Sequence, residues 1–184
     1  MRLVALLLCF FVSSQALAGA LTLQPANPQP TGLRSGLAVE YAFPPDVKTL
    51  GQAERDLRRA KPGKPLAGLD YRDTDEGEPT LTSGRAEKVV ARITGYVKFD
   101  SAGDYIIDFV SNDGVKAIVG GQQVVFFDGR HTCQESAPQR VIVPEAGWYP
   151  IEVVYFQRYK TACLHMRAGK DEPDWMPNSA FGYK

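Results

Sequence analysis

The sequence has no surplus of either charge: across 184 residues, 21 lysines and arginines stand against 21 aspartates and glutamates. Without a basic excess there is no electrostatic footprint for nucleic acid, whose phosphates must be neutralised on binding. The same balance removes a polybasic membrane-surface protein. Histidine is scarce, with His131 and His165 alone, and no His or Cys stands at zinc-ligand spacing from another. There is no G-x-S-x-G elbow for a nucleophilic serine, and nothing marks Ser111 or Ser136 as a partner for either histidine. No pair of carboxylates is marked out as facing across a cleft, as a glycosidase would need. These absences point away from an enzyme. What is present suits one folded domain with a substantial core, at 44% hydrophobic and 23% charged residues.

One apolar run stands out, Leu3–Val12, preceded by Arg2 and followed by the small-residue triplet Ala16-Leu17-Ala18. That order reads as a secretory signal peptide cleaved after Ala18, and the run is too short for a membrane-spanning helix. The expected location is therefore periplasmic or secreted, with no transmembrane segment in the mature chain. Cys9 would leave with the leader, so Cys133 and Cys163 remain as one possible pair, and an exported chain oxidises such a pair. A free reactive thiol and a metal-ligand pair are the competing readings, and neither has a helper residue at the right spacing.

Eight of the thirteen prolines fall between Pro25 and Pro79. Residues 19–34 read as an extended leader. Leu37–Phe43 alternates as a first strand, with Leu37, Val39 and Tyr41 on one face. Within 44–87 the pattern predicts an irregular insertion with one short helix, capped by Asp46 and burying Val47, Leu50 and Leu57. From Lys88 onward period two takes over. Strands are predicted at 91–99, 105–111, 115–119, 122–127, 139–143, 148–156 and 161–168, divided by turn signals such as Asn112-Asp113-Gly114 and Gly120-Gly121. Many short strands without intervening helices give an all-β antiparallel sandwich.

The series Gly95-Tyr96-Val97, Gly103-Asp104-Tyr105, Ser111-Asn112-Asp113-Gly114-Val115, Gly147-Trp148-Tyr149 and Met176-Pro177-Asn178 resembles the PA14 domain, the β-sandwich module of a toxin's protective antigen. The likeness covers about 35–184 and is carried mainly by 88–183. It implies a jelly-roll-type sandwich and, by similarity to flocculin and epithelial-adhesin modules, a glycan or polysaccharide partner held with the help of calcium. In those adhesins two aspartates joined by a cis peptide bind the ion and a later loop adds an asparagine. The matching positions are Asn112, Asp113 and Gln157, so one carboxylate stands where the adhesins have two, and weak calcium binding is implied. The ordinary reading of Asn112-Asp113-Gly114 is a tight turn in which Asp113 caps its own backbone.

Candidate ligand-binding residues are Asn112, Asp113, Asp128, Arg130, His131, Gln157 and Tyr159, on loops 112–115, 128–133 and 157–161 at one end of the sandwich. Asp128, Arg130 and His131 can hydrogen-bond sugar hydroxyls, with Tyr159 or Trp148 as a stacking face; a solvated loop is the bland alternative. Asp73, Asp75, Glu76 and Glu78 lack the register of an EF-hand and read as a solvated acidic loop. The expected function is an exported carbohydrate-binding or adhesive module. A non-catalytic structural or protein-docking module of an envelope or extracellular assembly is the alternative.

Overall fold

The computed structural model describes residues 19–184; the signal-peptide reading of 1–18 lies outside them. In chain order the strands are β1 (Leu21–Thr22), β2 (Arg34–Ser35), β3 (Ala38–Ala42), β4 (Lys61–Pro62), β5 (Asp70–Tyr71), β6 (Val89–Phe99) and β7 (Gly103–Asn112). There follow β8 (Val115–Val119), β9 (Gln122–Phe127), β10 (Gln134–Glu135), β11 (Gln139–Val143), β12 (Gly147–Gln157), β13 (Cys163–Gly169) and β14 (Phe181–Tyr183). Among the described residues there is one α-helix, α1 (Leu50–Asp56), which runs on into a short 3-10 turn, Leu57–Arg59. No helix of the described residues is long and apolar enough to cross a membrane.

Two sheets form. The smaller has the order β1-β11-β7-β13-β5, with β10 also beside β7; the larger runs β2-β14-β6-β12-β8-β9, with β3 on β6 and β4 on β3. Only β1 and β11 pair in parallel; all other strand pairs are antiparallel. From β6 on, the chain passes repeatedly between the sheets, so each pair of facing strands closes the core from both sides. Period two decides which side chains enter it. Ile93 and Val97 of β6, Ile107 and Phe109 of β7, Tyr149 and Val153 of β12, and Leu164 and Met166 of β13 are all buried there. Gly120 and Gly121 close β8 onto β9 with φ of 52° and 74°, the left-handed pair that a two-residue hairpin requires.

The insertion packs on the sandwich. Leu66 and Leu69 enter the main core, and β5 adds an edge to the smaller sheet. Helix α1 and its flanking residues lay Val47, Leu50, Ala53 and Leu57 on the outer face of the larger sheet over Val90, Val154 and Phe156. That contact is why strict alternation fails late in β12: its outward residues are buried too. Each large apolar side chain so covered is worth about 1.5–3 kcal/mol. Asp46 is not the helix cap. Thr49 is, its side chain accepting from the Gln52 amide at 3.3 Å, while Asp46 forms ion pairs with Arg158 and Lys48. The acidic residues 73, 75, 76 and 78 are all exposed.

Candidate ligand groove at the Asn112–Asp113 corner

Strand β7 ends at Asn112 in the smaller sheet, and β8 begins at Val115 in the larger. Asn112-Asp113-Gly114 is therefore a crossing between sheets and not a hairpin turn. The Asn112–Asp113 peptide is cis. Backbone bonds join Asp113 N–H to the Phe156 carbonyl and Phe156 N–H to the Gly114 carbonyl, at 3.1 and 3.0 Å. A Cβ on Gly114 would stand 2.4 Å from the Phe156 ring, so this crossing needs glycine.

The Asp113 carboxylate does not cap its own turn. One oxygen, Oδ1, accepts from the His131 amide at 3.0 Å; the other, Oδ2, accepts from the Arg158 amide at 2.8 Å. A single buried carboxylate thus ties the loop after β9 to the loop after β12. Burial pushes its pKa up, opposed by the Arg158 and His131 amide donors.

Asn112 and Gln157 meet around Thr161. The Asn112 amide donates to Thr161 Oγ1 at 3.1 Å. Gln157 continues the inward series of β12 and is fully buried; its Nε2 donates to the Lys160 and Thr161 carbonyls, both at 3.3 Å. Its Oε1 has no partner. Among the described residues only two buried side-chain atoms are left so, and the other is His131 Nε2 in the same corner. The His131 ring stacks on Phe127 at 3.9 Å, with Nδ1 3.1 Å from the Thr132 carbonyl. Buried polar atoms without protein partners are uncommon and call for an explanation such as a water, an ion or a ligand.

Above these residues lies a groove of about 340 Å³, walled by Asn112, Asp113, Arg130, His131, Arg158 and Lys160. Two other hollows are larger, about 610 Å³ over Thr94–Tyr96 and Pro150–Glu152, and about 620 Å³ around Phe43 and Pro44. Neither contains an orphaned buried polar atom, so the smaller groove has the stronger chemical claim.

The other expected site residues divide. Asp128 is not in the groove: its Oδ1 accepts from the Leu50 and Gly129 amides, both at 2.7 Å, which holds the start of α1. Trp148 lies at the opposite end of β12 from Gln157, about 30 Å away at ~3.3 Å per residue. Tyr159 lines the groove, but its ring already carries the Arg158 guanidinium at 4.5 Å and the Lys88 ammonium at 5.4 Å. Arg158, Lys160 and Thr161 were not singled out by sequence. They sit where a polar stretch leaves a buried strand, the one local signal available.

Cys133 and Cys163 form a disulfide, pinning the His131 loop to the start of β13. His165 lies on the outer face of the smaller sheet beside both sulfurs, its nitrogen within 4.8 Å of them. A metal-ligand helper that spacing alone did not show is therefore present, although the bonded sulfurs are not thiolates. Ser111 and Ser136 are both engaged: Ser111 donates to the Asp113 carbonyl and Ser136 accepts from the Phe109 amide.

The chain matches the family model for the PA14 domain over residues 34–178. No curated protein matches it. Among solved structures, the PA14 domain of the MpAFP antifreeze protein aligns with TM-score 0.69 at 13% identity, covering 84% of this chain and 93% of that one. The PA14 sugar-binding domain from an RTX adhesin gives 0.62 at 14%, covering 82% and 99%. The A domain of Epithelial Adhesin 6 from Candida glabrata, in complex with Galβ1-3GlcNAc, gives 0.68 at 14%, covering 89% and 93%. At such identities the structural likenesses establish the fold alone. The family match spans most of the chain, and by it the chain belongs to the PA14 domain family.

Proposed function

We propose that this chain is an exported, non-catalytic carbohydrate-binding module whose glycan site is the Asn112–Asp113 groove. The observation that carries the reading is a groove walled by His131, whose buried Nε2 has no partner, and by Asp113, the carboxylate that fastens two of its loops. Two structural neighbours support it by their descriptions, one as a sugar-binding domain and one in complex with a disaccharide. Periplasmic or secreted location rests on the leader-like first eighteen residues.

The donor set suits calcium in kind. Asp113 supplies a carboxylate, Gln157 an unpartnered oxygen, and Asn112 the carbonyl oxygen of the amide that donates to Thr161. Asn112, Asp113 and Gln157 are the residues that would hold the ion. With one carboxylate the affinity would be low. Bound calcium would supply a Lewis-acidic contact for sugar hydroxyls, while Arg130, His131 and Lys160 offer hydrogen bonds from the groove walls.

A structural or protein-docking role is favoured by one feature: both Asp113 oxygens already accept backbone bonds. Each carboxylate oxygen retains a second lone pair, so the two roles are compatible at the level of atoms. Glycan-array binding, in calcium and in chelator, separates them. Calcium-dependent binding to a defined sugar class is expected; silence in both conditions from folded, oxidised protein would leave the docking role.

A further inference from the structure

We propose that the groove is selective for acidic sugars, with Arg130 and Lys160 taking the carboxylate or sulfate of a glycan seated over Asn112 and Asp113; this rests on the carbohydrate reading above. The argument begins with the charges that line the groove. Asp113 is the one acid in its wall, against Arg130, Arg158 and Lys160. Arg158 is already matched, its guanidinium donating to both oxygens of Asp46 at 2.7 and 3.2 Å. The Asp113 charge is buried and directed at two backbone amides. Arg130 and Lys160 are exposed, and neither side chain has an ion pair among the described residues.

Unpaired lysines and arginines are ordinary on a protein surface. These two differ because the site holds the backbone beneath each of them. Arg130 precedes the residue whose amide Asp113 binds, and Lys160 lies two beyond the other. Lys160 is fixed further: its amide donates to Glu87 at 3.1 Å and its carbonyl accepts from Gln157. Two cations are thus presented from separate loops into one concavity that His131, with its unpartnered Nε2, also lines. Seating a neutral sugar there would strip water from both cations without compensation, whereas an anion restores charge-assisted bonds, bidentate ones for the guanidinium. A carboxylate and a sulfate satisfy the same clamp.

The test is titration calorimetry of the protein with a uronic-acid oligosaccharide, its carboxyl-reduced counterpart and a sulfated oligosaccharide, in calcium and in chelator, at low and high salt. One or both acidic oligosaccharides are expected to bind at least about tenfold tighter than the reduced one. The preference should weaken at high salt. It should fall to the reduced counterpart's level in the Arg130→Gln/Lys160→Gln double variant. The ratio between the two acidic probes identifies the anion. Single variants serve if the double variant melts early. Equal affinity for acidic and reduced oligosaccharides overturns the acidic selectivity while leaving the carbohydrate reading intact. A preference that survives in the folded double variant overturns the assignment to these two residues. Absence of binding to every probe overturns both readings.

Discussion

Two buried aspartates lie five residues apart on either side of the end of β7, and the molecule treats them differently. Asp108, on the outer face of the smaller sheet, receives both arms of Arg167 at 2.8 and 2.6 Å, and Glu135 takes a third donor of the same guanidinium at 2.7 Å. Asp113 has no such cation in contact; it accepts two backbone amides, and burial raises its pKa. In the first region the buried aspartate is closed off by a cation from the neighbouring strand. The second is held together by a carboxylate and still contains two buried atoms without partners. A fold satisfies its own polar groups wherever it can, so the unfinished corner is where a ligand is expected.

The largest effect expected is on the link between the two regions. Cys133 ends the groove loop, and Cys163 begins the strand that carries Arg167. The bond closes a loop of sequence separation 30, worth about 3–4 kcal/mol by chain entropy. Reduction should lower Tm by about 10 °C in a calorimetric scan. An unchanged Tm would mean that the groove loop is fastened by Asp113 alone.

The comparison is sharpest in a pair of substitutions. Arg167→Ala leaves Asp108 buried without its cation and should destabilise by about 3 kcal/mol. Asp113→Asn removes a buried charge but keeps only one acceptor oxygen, turning an NH2 toward the other backbone N–H, so it should cost about 1–2 kcal/mol, less than Arg167→Ala. It should nonetheless abolish any rise of Tm with added calcium. Denaturant unfolding of both variants, with and without calcium, measures all of this. Equal losses from the two substitutions would break the distinction between a closed and an open aspartate.

The sandwich was legible in the sequence because period two is written into strands with one face in the core. Ala91, Ile93, Val97 and Phe99 announce β6, and Gly120-Gly121 announces the β8–β9 hairpin. The resemblance to the PA14 pattern pointed to Asn112, Asp113 and Gln157, and Asn112 and Gln157 both bond Thr161 at this corner. What the residues could not reveal was long-range pairing. Asp113 reaches amides 18 and 45 residues away, and no local pattern records a side chain bonded to a distant backbone. Asp46 and Asp128 were misread for the same reason. Each looked like a local cap or a free loop acid, and each is engaged by a partner, Arg158 or Leu50, that only the folded chain brings near. Val154 and Phe156 lie on the outer face of the larger sheet, where α1, from a distant part of the chain, covers them.

The smallest effect expected is on acidification, where the two regions should pull in opposite directions. In the closed region His165 is buried between Asp70 and Trp175; burial lowers its pKa, with Asp70 opposing. The unfolded chain then takes a proton near pH 6.5 that the folded chain refuses, so stability is lost as pH falls below that value. In the open region the Asp113 pKa is raised. The folded chain accepts a proton before the unfolded one does, so stability is gained as pH falls through that raised value toward about 3.9. The same proton competes with calcium, so any calcium-linked rise in Tm should shrink over this range. His165→Gln should flatten the loss below pH 6.5, and Asp113→Asn should remove the gain at lower pH. Unfolding curves of the two variants that stay parallel to wild type from pH 7 to pH 4 would mean that neither buried group titrates differently on folding. The contrast between the regions would then reduce to their hydrogen bonds.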